Sequence, residues 1–143
     1  MDFKYLFTSF DGRINRAKWW LGMVALGLIS GILAWLFGLS FFGRLLSFVV
    51  ALALFYPSYA VCAKRFQDRD KPGKMAIYGL VPLLVVNLLQ MLGLTGTPDA
   101  QNAIGWLCSL VSLGVGLWFL VELGILKGTT GSNRYGPDPL AGQ

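Results

Sequence analysis

The sequence contains no histidine, which excludes imidazole acid–base catalysis and imidazole metal binding. Cysteine is nearly absent as well: Cys62 and Cys108 are the only two, and each falls inside an apolar run rather than in a loop where a zinc or disulfide framework would sit. They are expected near opposite faces of a membrane, too far apart to share a metal or form an intrachain disulfide. Charge is also scarce. Asp, Glu, Lys and Arg make up 13% of the chain, about half the roughly 25% of a soluble domain, so much of the surface is suited to lipid rather than water. No phosphate-cradling loop or nucleophile–base pair is readable, so neither enzymatic activity nor a cofactor is expected. The first apolar run has full membrane length and no small-x-small site closes it, so no cleavable leader is expected.

What the chain does have is hydrophobic length. Of its 143 residues, 55% are hydrophobic, and the mean hydropathy is +0.61. Four runs, 19–38, 45–63, 75–94 and 104–126, are nearly free of charge. Each is about 20 residues long, the length a helix needs to cross a hydrocarbon core roughly 30 Å thick. Barrel strands alternate polar and apolar residues over about ten positions, and these runs do not. The expected fold is therefore all-α. It is a single membrane domain over 1–143: a bundle of four transmembrane helices, a short interfacial amphipathic helix within 3–14, and a tail over 127–143.

Within that first segment Phe3, Leu6, Phe7, Phe10 and Ile14 recur at helical spacing, so it could rest on the bilayer surface. The alternative is a frayed terminus, because Asp11-Gly12 interrupts the pattern. Trp19 and Trp20 stand where the first crossing begins, a depth that indole rings favour.

Orientation follows from the basic residues. Lys4, Arg13, Arg16 and Lys18 precede the first run; Lys64, Arg65, Arg69, Lys71 and Lys74 lie between the second and third; Lys127 and Arg134 lie in the tail. Eleven of the twelve Lys and Arg thus fall on one side, with Arg44 alone on the other. Positively charged loops are retained in the cytoplasm, so both termini are expected there.

Small residues form two stripes with the same four, three, four spacing. Gly27, Gly31, Ala34 and Gly38 mark the first crossing; Gly105, Ser109, Ser112 and Gly116 mark the last. Helices in lipid associate through close backbone approach, so these faces are expected to meet each other, or to join copies of the chain. Pro57 and Pro82 should kink the second and third crossings at one depth, and the paired kinks could open a vestibule there.

Glu122 is the only acid inside an apolar run. An intramembrane carboxylate faces protein and pairs with a cation, here expected to be Arg65, Lys127 or Arg16, or it serves a proton or solute path. Asn87 and Gln90 in the third crossing are expected to make interhelical hydrogen bonds in preference to forming a binding site. The basic clusters set topology and attract anionic lipid, while Asp68 and Asp70 break the patch that nucleic acid would need.

Three segments carry a resemblance: Phe10-Asp-Gly-Arg-Ile-Asn-Arg-Ala-Lys-Trp-Trp20, Ala63-Lys-Arg-Phe-Gln-Asp68 with Pro82 downstream, and Lys127-Gly-Thr-Thr-Gly-Ser-Asn-Arg-Tyr-Gly-Pro-Asp-Pro139. Together they resemble the bacterial inner-membrane family called domain of unknown function 805, over nearly the whole chain. Members commonly read Arg-Arg-Leu-His-Asp and then Ser-Gly-Trp in the middle loop. Here Gln67 takes the histidine place and Pro72-Gly73-Lys74 takes the Ser-Gly-Trp place. The resemblance implies a small multi-spanning membrane protein and brings no activity with it.

All three segments belong at the cytoplasmic face. Arg13, Arg16, Arg65, Asp68, Asn133, Arg134 and Asp138 are therefore expected to form one ion-paired platform, able to hold a lipid phosphate or a partner protein. The leading functional expectation is a non-enzymatic membrane component that binds anionic lipid or a partner and supports envelope integrity. The competing one is a subunit of an oligomeric transporter or channel with Glu122 as coupling acid. A lipid-modifying enzyme ranks last, for want of a catalytic set.

Overall fold

The computed structural model describes residues 2–37 and 40–141. Helix α1 (Phe3–Thr8) leads into α2 (Arg16–Phe37), α3 (Phe41–Asp68) and α4 (Met75–Met91). A hairpin of β1 (Gly96–Thr97) and β2 (Ala100–Gln101) then leads into α5 (Ala103–Phe119), which continues as a π-helical turn over Leu120–Ile125. Three of these helical stretches, Arg16–Phe37, Phe41–Asp68 and Ala103–Ile125, are long and apolar enough to cross a membrane. Helix α4 is shorter and equally apolar, about 26 Å at 1.5 Å per residue. Large apolar side chains face outward along the bundle, Trp35 at 82% exposure and Leu110 at 64%, which water would penalise and lipid does not.

The helices run up and down, so the bundle has two ends. The start of α2, the end of α3, the start of α4 and the π turn meet, together with α1 and the tail, at the terminal end. The opposite, hairpin end holds the start of α3, the end of α4, the hairpin and the start of α5. Helix α3 is the central element, packed against α4, α2 and α1. At 28 residues it extends about 42 Å, well beyond a hydrocarbon core of about 30 Å. Every residue from Ala60 to Asp68 is buried, because other elements surround its last two turns. The core sits there too, with Ile14, Trp19, Val61, Phe66, Phe119 and Leu123 in one cluster.

Several expectations are corrected here. The N-terminal helix spans only six residues; Leu6, and Ile14 beyond it, pack against the bundle at 1% and 0% exposure, Phe7 and Phe10 are half-buried, and Phe3 stays exposed. Phe10 stacks against Tyr56 and Tyr59 of α3, with ring centroids 4.9 and 5.1 Å apart. The two small-residue stripes do not pack on each other. A side chain at Gly27, Gly31 or Gly116 would meet nothing within 4 Å, Ala34 is exposed, and Gly38 lies outside the described residues.

The close approaches occur at other glycines. A Cβ at Gly22 of α2 would stand 3.1 Å from Val61 of α3, one at Gly124 would stand 2.9 Å from Trp19, and one at Gly79 of α4 would collide with the Phe119 ring. Helix α2 therefore touches the last helix near its π turn and is not packed on it face to face farther along. Gly105 is instead pressed against the Thr95 carbonyl, Ser109 bonds Gly105 and Gln101, and Ser112 is half-buried. Pro57 and Pro82 stand inside α3 and α4. Neither lines the larger cavity, which lies at the hairpin end.

Candidate functional site

The charged residues at the terminal end form a network whose centre is Asp68, the last residue of α3. Its carboxylate accepts from Arg13 Nε at 3.0 Å and from Arg65 Nη1, and both arginine side chains are essentially fully buried. Two cations share one carboxylate here, so the remaining guanidinium donors must find neutral oxygens. Arg13 uses them to hold the tail, donating to the carbonyls of Thr129 and Gly131 at 2.6 Å and of Gly136 at 3.2 Å. The Asp68 carbonyl in turn accepts the Thr129 N–H at 2.9 Å and its hydroxyl at 3.0 Å. Gly128 lies so close beneath the carboxylate that any side chain there would collide with it.

The last helix supplies the other half of the network. A helix leaves its final carbonyls without internal partners, and in a membrane protein they need donors from elsewhere. Arg65 Nε donates to Leu123 O at 2.7 Å and Nη2 to Leu126 O at 2.5 Å. Trp20 Nε1 reaches Gly124 O at 3.3 Å, Arg16 Nη1 reaches Ile125 O at 3.0 Å, and Arg69 Nη1 reaches Lys127 O at 2.7 Å. Five successive carbonyls are thus capped by side chains of α2, α3 and the turn after α3. Lys64 does the same for α1: its buried ammonium donates to Tyr5 O and to Leu6 O at 2.8 Å, and sits 4.3 Å from the Tyr5 ring centroid. Burial raises the Tyr5 phenol above its ordinary value, an effect the Arg13 backbone N–H opposes.

The seven platform residues therefore converge, in distinct ways. Arg13, Arg65 and Asp68 form the buried ion-paired centre. Asn133 Nδ2 donates to Gln67 O at 2.9 Å and to Thr129 Oγ1 at 2.8 Å, tying the tail to the end of α3. Arg134 lies at the rim and pairs with Asp70 at 3.0 Å rather than with the centre. Arg16 makes no ion pair among the described residues. Asp138 shapes the tail turn instead of pairing with a cation, since its two oxygens accept the Leu140 and Gly131 N–H groups at 2.9 Å each.

Those donors, Leu140 first and Gly131 second, hold the Asp138 carboxyl below its ordinary range. A lowered folded-state value means the carboxylate's contribution is complete above the unfolded value of about 3.9 and is lost as pH falls through the lowered one. The tail turn is thus expected to stay closed at neutral and mildly acidic pH. Amide chemical shifts of Gly131 and Leu140 followed on acidification check this, and a midpoint at or above the ordinary carboxylate value contradicts it.

Glu122, inside the π turn, has different partners from those expected. Its Oε1 accepts from Arg69 Nε at 2.7 Å and from Lys71 Nζ at 2.5 Å. Arg65 is committed to Asp68 and two carbonyls, and the turn after α3 brings Arg69 and Lys71 to the level of the acid. Among the described residues, Asn87 and Gln90 make no hydrogen bond between helices either. Asn87 Nδ2 donates at 2.9 Å to Leu83 O of its own helix, and both residues line the hairpin-end cavity. Sequence reasoning also missed Lys64, Arg69, Lys71, Gly128 and Thr129. Gly128 and Thr129 stand in the quoted tail segment, beside the residues that were singled out.

Next to the network opens a cleft of about 620 Å³ between the start of α2 and the tail, with Arg16, Trp20, Lys127, Thr130 and Leu140 on its walls. Arg16 and Lys127 make no ion pair among the described residues; Arg16 donates to the Ile125 carbonyl and Asp138 also lines the cleft, so two unneutralised cations stand there with one carboxylate that backbone N–H groups hold.

Comparison with known proteins places this geometry. Inner membrane protein YhaI of Escherichia coli (strain K12) is 30% identical over 139 residues, 95% of this chain and 90% of YhaI. YiiR of the same organism is 31% identical over 134 residues, 91% of this chain and 85% of YiiR. Inner membrane protein YhaH is 25% identical over 140 residues, covering 93% and 88% of the two chains. No solved structure matches. A match to the family described as protein of unknown function (DUF805) runs over residues 7–137, from just before the Arg13 segment to the turn that Asp138 closes. The segments that carry the likeness are those that interlock around Asp68, and the chain belongs to that DUF805 family as a multi-pass inner-membrane protein.

Proposed function

We propose that this chain is a non-enzymatic inner-membrane component with four crossings and both termini in the cytoplasm. In this reading the cleft beside the arginine network holds the anionic headgroup of an inner-leaflet lipid, and the protein thereby supports envelope integrity. The observation that carries the reading is the contrast between two sets of cations. Arg13 and Arg65 are buried and saturated, so they serve as the lock, while Arg16 and Lys127 line an open cleft without a carboxylate partner. Trp20 on the same wall suits the headgroup level of a bilayer.

Glu122 has less support as a coupling acid. It is engaged by two cations at once, and a proton-coupling carboxylate must part from its partners to titrate. Its pairing fits a latch between the last helix and the turn after α3.

The test is lipid affinity of the purified full chain by native mass spectrometry in detergent, comparing phosphatidylglycerol with phosphatidylcholine. Each juxtamembrane cation is worth about 1 kcal/mol toward anionic lipid, close to fivefold in affinity. The double variant R16Q/K127Q is therefore expected to bind phosphatidylglycerol about thirty-fold more weakly with phosphatidylcholine binding unchanged, while loss of the Arg16 contact to the Ile125 carbonyl lowers thermal stability equally in either lipid. Equal phosphatidylglycerol binding by the parent and the variant would sink the lipid reading and turn attention to an acidic partner protein.

A further inference from the structure

At the hairpin end, opposite the arginine lock, α2, α3, α4, α5 and the hairpin enclose a cavity of about 740 Å³. That is within the range of small-molecule sites, about 300–1,000 Å³. The splaying of α2 away from α5 creates it, and Ala34 of one small-residue stripe and Gly105 and Ser109 of the other line it without touching.

Its lining sets charged and polar groups among apolar helices. Arg44, in the first turn of α3, is the only basic residue of the hairpin end. Its Nε is shut off from solvent yet has no hydrogen-bond partner, and no carboxylate lies within 4.0 Å of its guanidinium among the described residues. Every other arginine described here donates its Nε or Nη groups to a protein oxygen. The Nε–H, buried and unpartnered on a side chain that is otherwise half-buried, calls for an acceptor, and an ionisable group at a cavity of a membrane protein points to a ligand.

The rest of the cavity supports the same reading. Ser47 and Gln90 line it and make no side-chain hydrogen bonds among the described residues, and Asn87 commits only its N–H to its own helix. Leu33, Val50 and Met91 supply an apolar remainder. Asp99, on the turn of the hairpin, stands at the rim without pairing with Arg44. We infer that the cavity binds a phosphate-bearing group with Arg44 as its anion anchor, in the form of a phospholipid whose headgroup enters from the bilayer between α2 and α5. The guanidinium fork matches phosphate oxygens, the serine and amides complete the acceptors' shell, the apolar wall takes the start of an acyl chain, and Asp99 meets a headgroup ammonium. This site is separate from the cleft at the terminal end and does not depend on it.

The experiment purifies the full chain in mild detergent, adds phosphatidylethanolamine, and measures retained lipid by native mass spectrometry. Arg44→Gln removes the anchor. Ala51→Phe fills the cavity and leaves every charge in place, so it serves if the first variant fails to fold. A parallel arm measures the thermal shift caused by inorganic phosphate. The parent chain is expected to retain about one phosphatidylethanolamine, with retention falling at least about tenfold in either variant, the loss of one charge-assisted contact set. R16Q/K127Q should retain it fully, which separates this site from the terminal-end cleft. Stabilisation by inorganic phosphate in the parent but not in Arg44→Gln, without lipid retention, assigns the same site to a free anion. The inference is overturned if neither lipid nor phosphate distinguishes the parent from the two variants.

Discussion

Asp68→Ala is expected to destabilise the folded chain by about 3–5 kcal/mol, the range seen when one partner of a buried ion pair is removed. The effect sits at the top of that range for a structural reason. One carboxylate neutralises two guanidinium groups, and its loss leaves Arg13 and Arg65 buried with no carboxylate at ion-pair distance among the described residues. Asp68→Asn retains the shape and one acceptor oxygen, so it should lose less. Denaturation in mixed micelles measures both, and proteolysis of the tail reports whether Arg13 has released Thr129, Gly131 and Gly136. A stable Asp68→Ala chain with a protected tail would mean that the arginines are held mainly by carbonyls.

Gly128→Ala is the second large effect, expected to destabilise by about 2–3 kcal/mol although it adds a single methyl group. Overpacking ordinarily costs about 1–3 kcal/mol because neighbours give way. Here the neighbour is the Asp68 carboxylate, which two arginines hold in place and which cannot retreat. The collision explanation makes a further demand. In an Asp68→Ala background the same methyl should cost little, so the two substitutions must be strongly non-additive. Additive effects in that cycle would show that Gly128 matters for some reason other than contact with Asp68.

The membrane character of the chain was legible because length and hydropathy are direct properties of the sequence, and lipid allows few alternatives to a helix. Convergence of the platform residues was legible for a related reason. Helices that run alternately up and down bring the start of α2, the end of α3 and the tail to one end of the bundle whatever the packing. What could not be read was which neighbour each side chain reaches. Glu122 was paired with Arg65, Lys127 or Arg16, but Arg69 and Lys71 arrive through a turn whose path, with Asp70 at φ 57°, depends on local backbone geometry. The Gly27 and Gly31 stripe looked like a helix interface by spacing alone. The contacts that form use Gly22, Gly79 and Gly124, which follow no stripe. The backbone carbonyls at Leu123 to Lys127 carry no mark in a string of side chains, so their role as acceptors was invisible.

Those carbonyls have a consequence for biogenesis. The arginines that cap them lie on segments made early by the ribosome, while the acceptors emerge only with the last helix. Until then Arg65 and Arg69 have no helix end to grip, and Glu122 has not arrived to meet Lys71. A nascent chain halted before residue 120 would therefore hold a cluster of basic groups without their acceptors, in an incompletely packed bundle prone to misassembly. Closure of the fold at the terminal end therefore waits on the last helix and the segment that follows it.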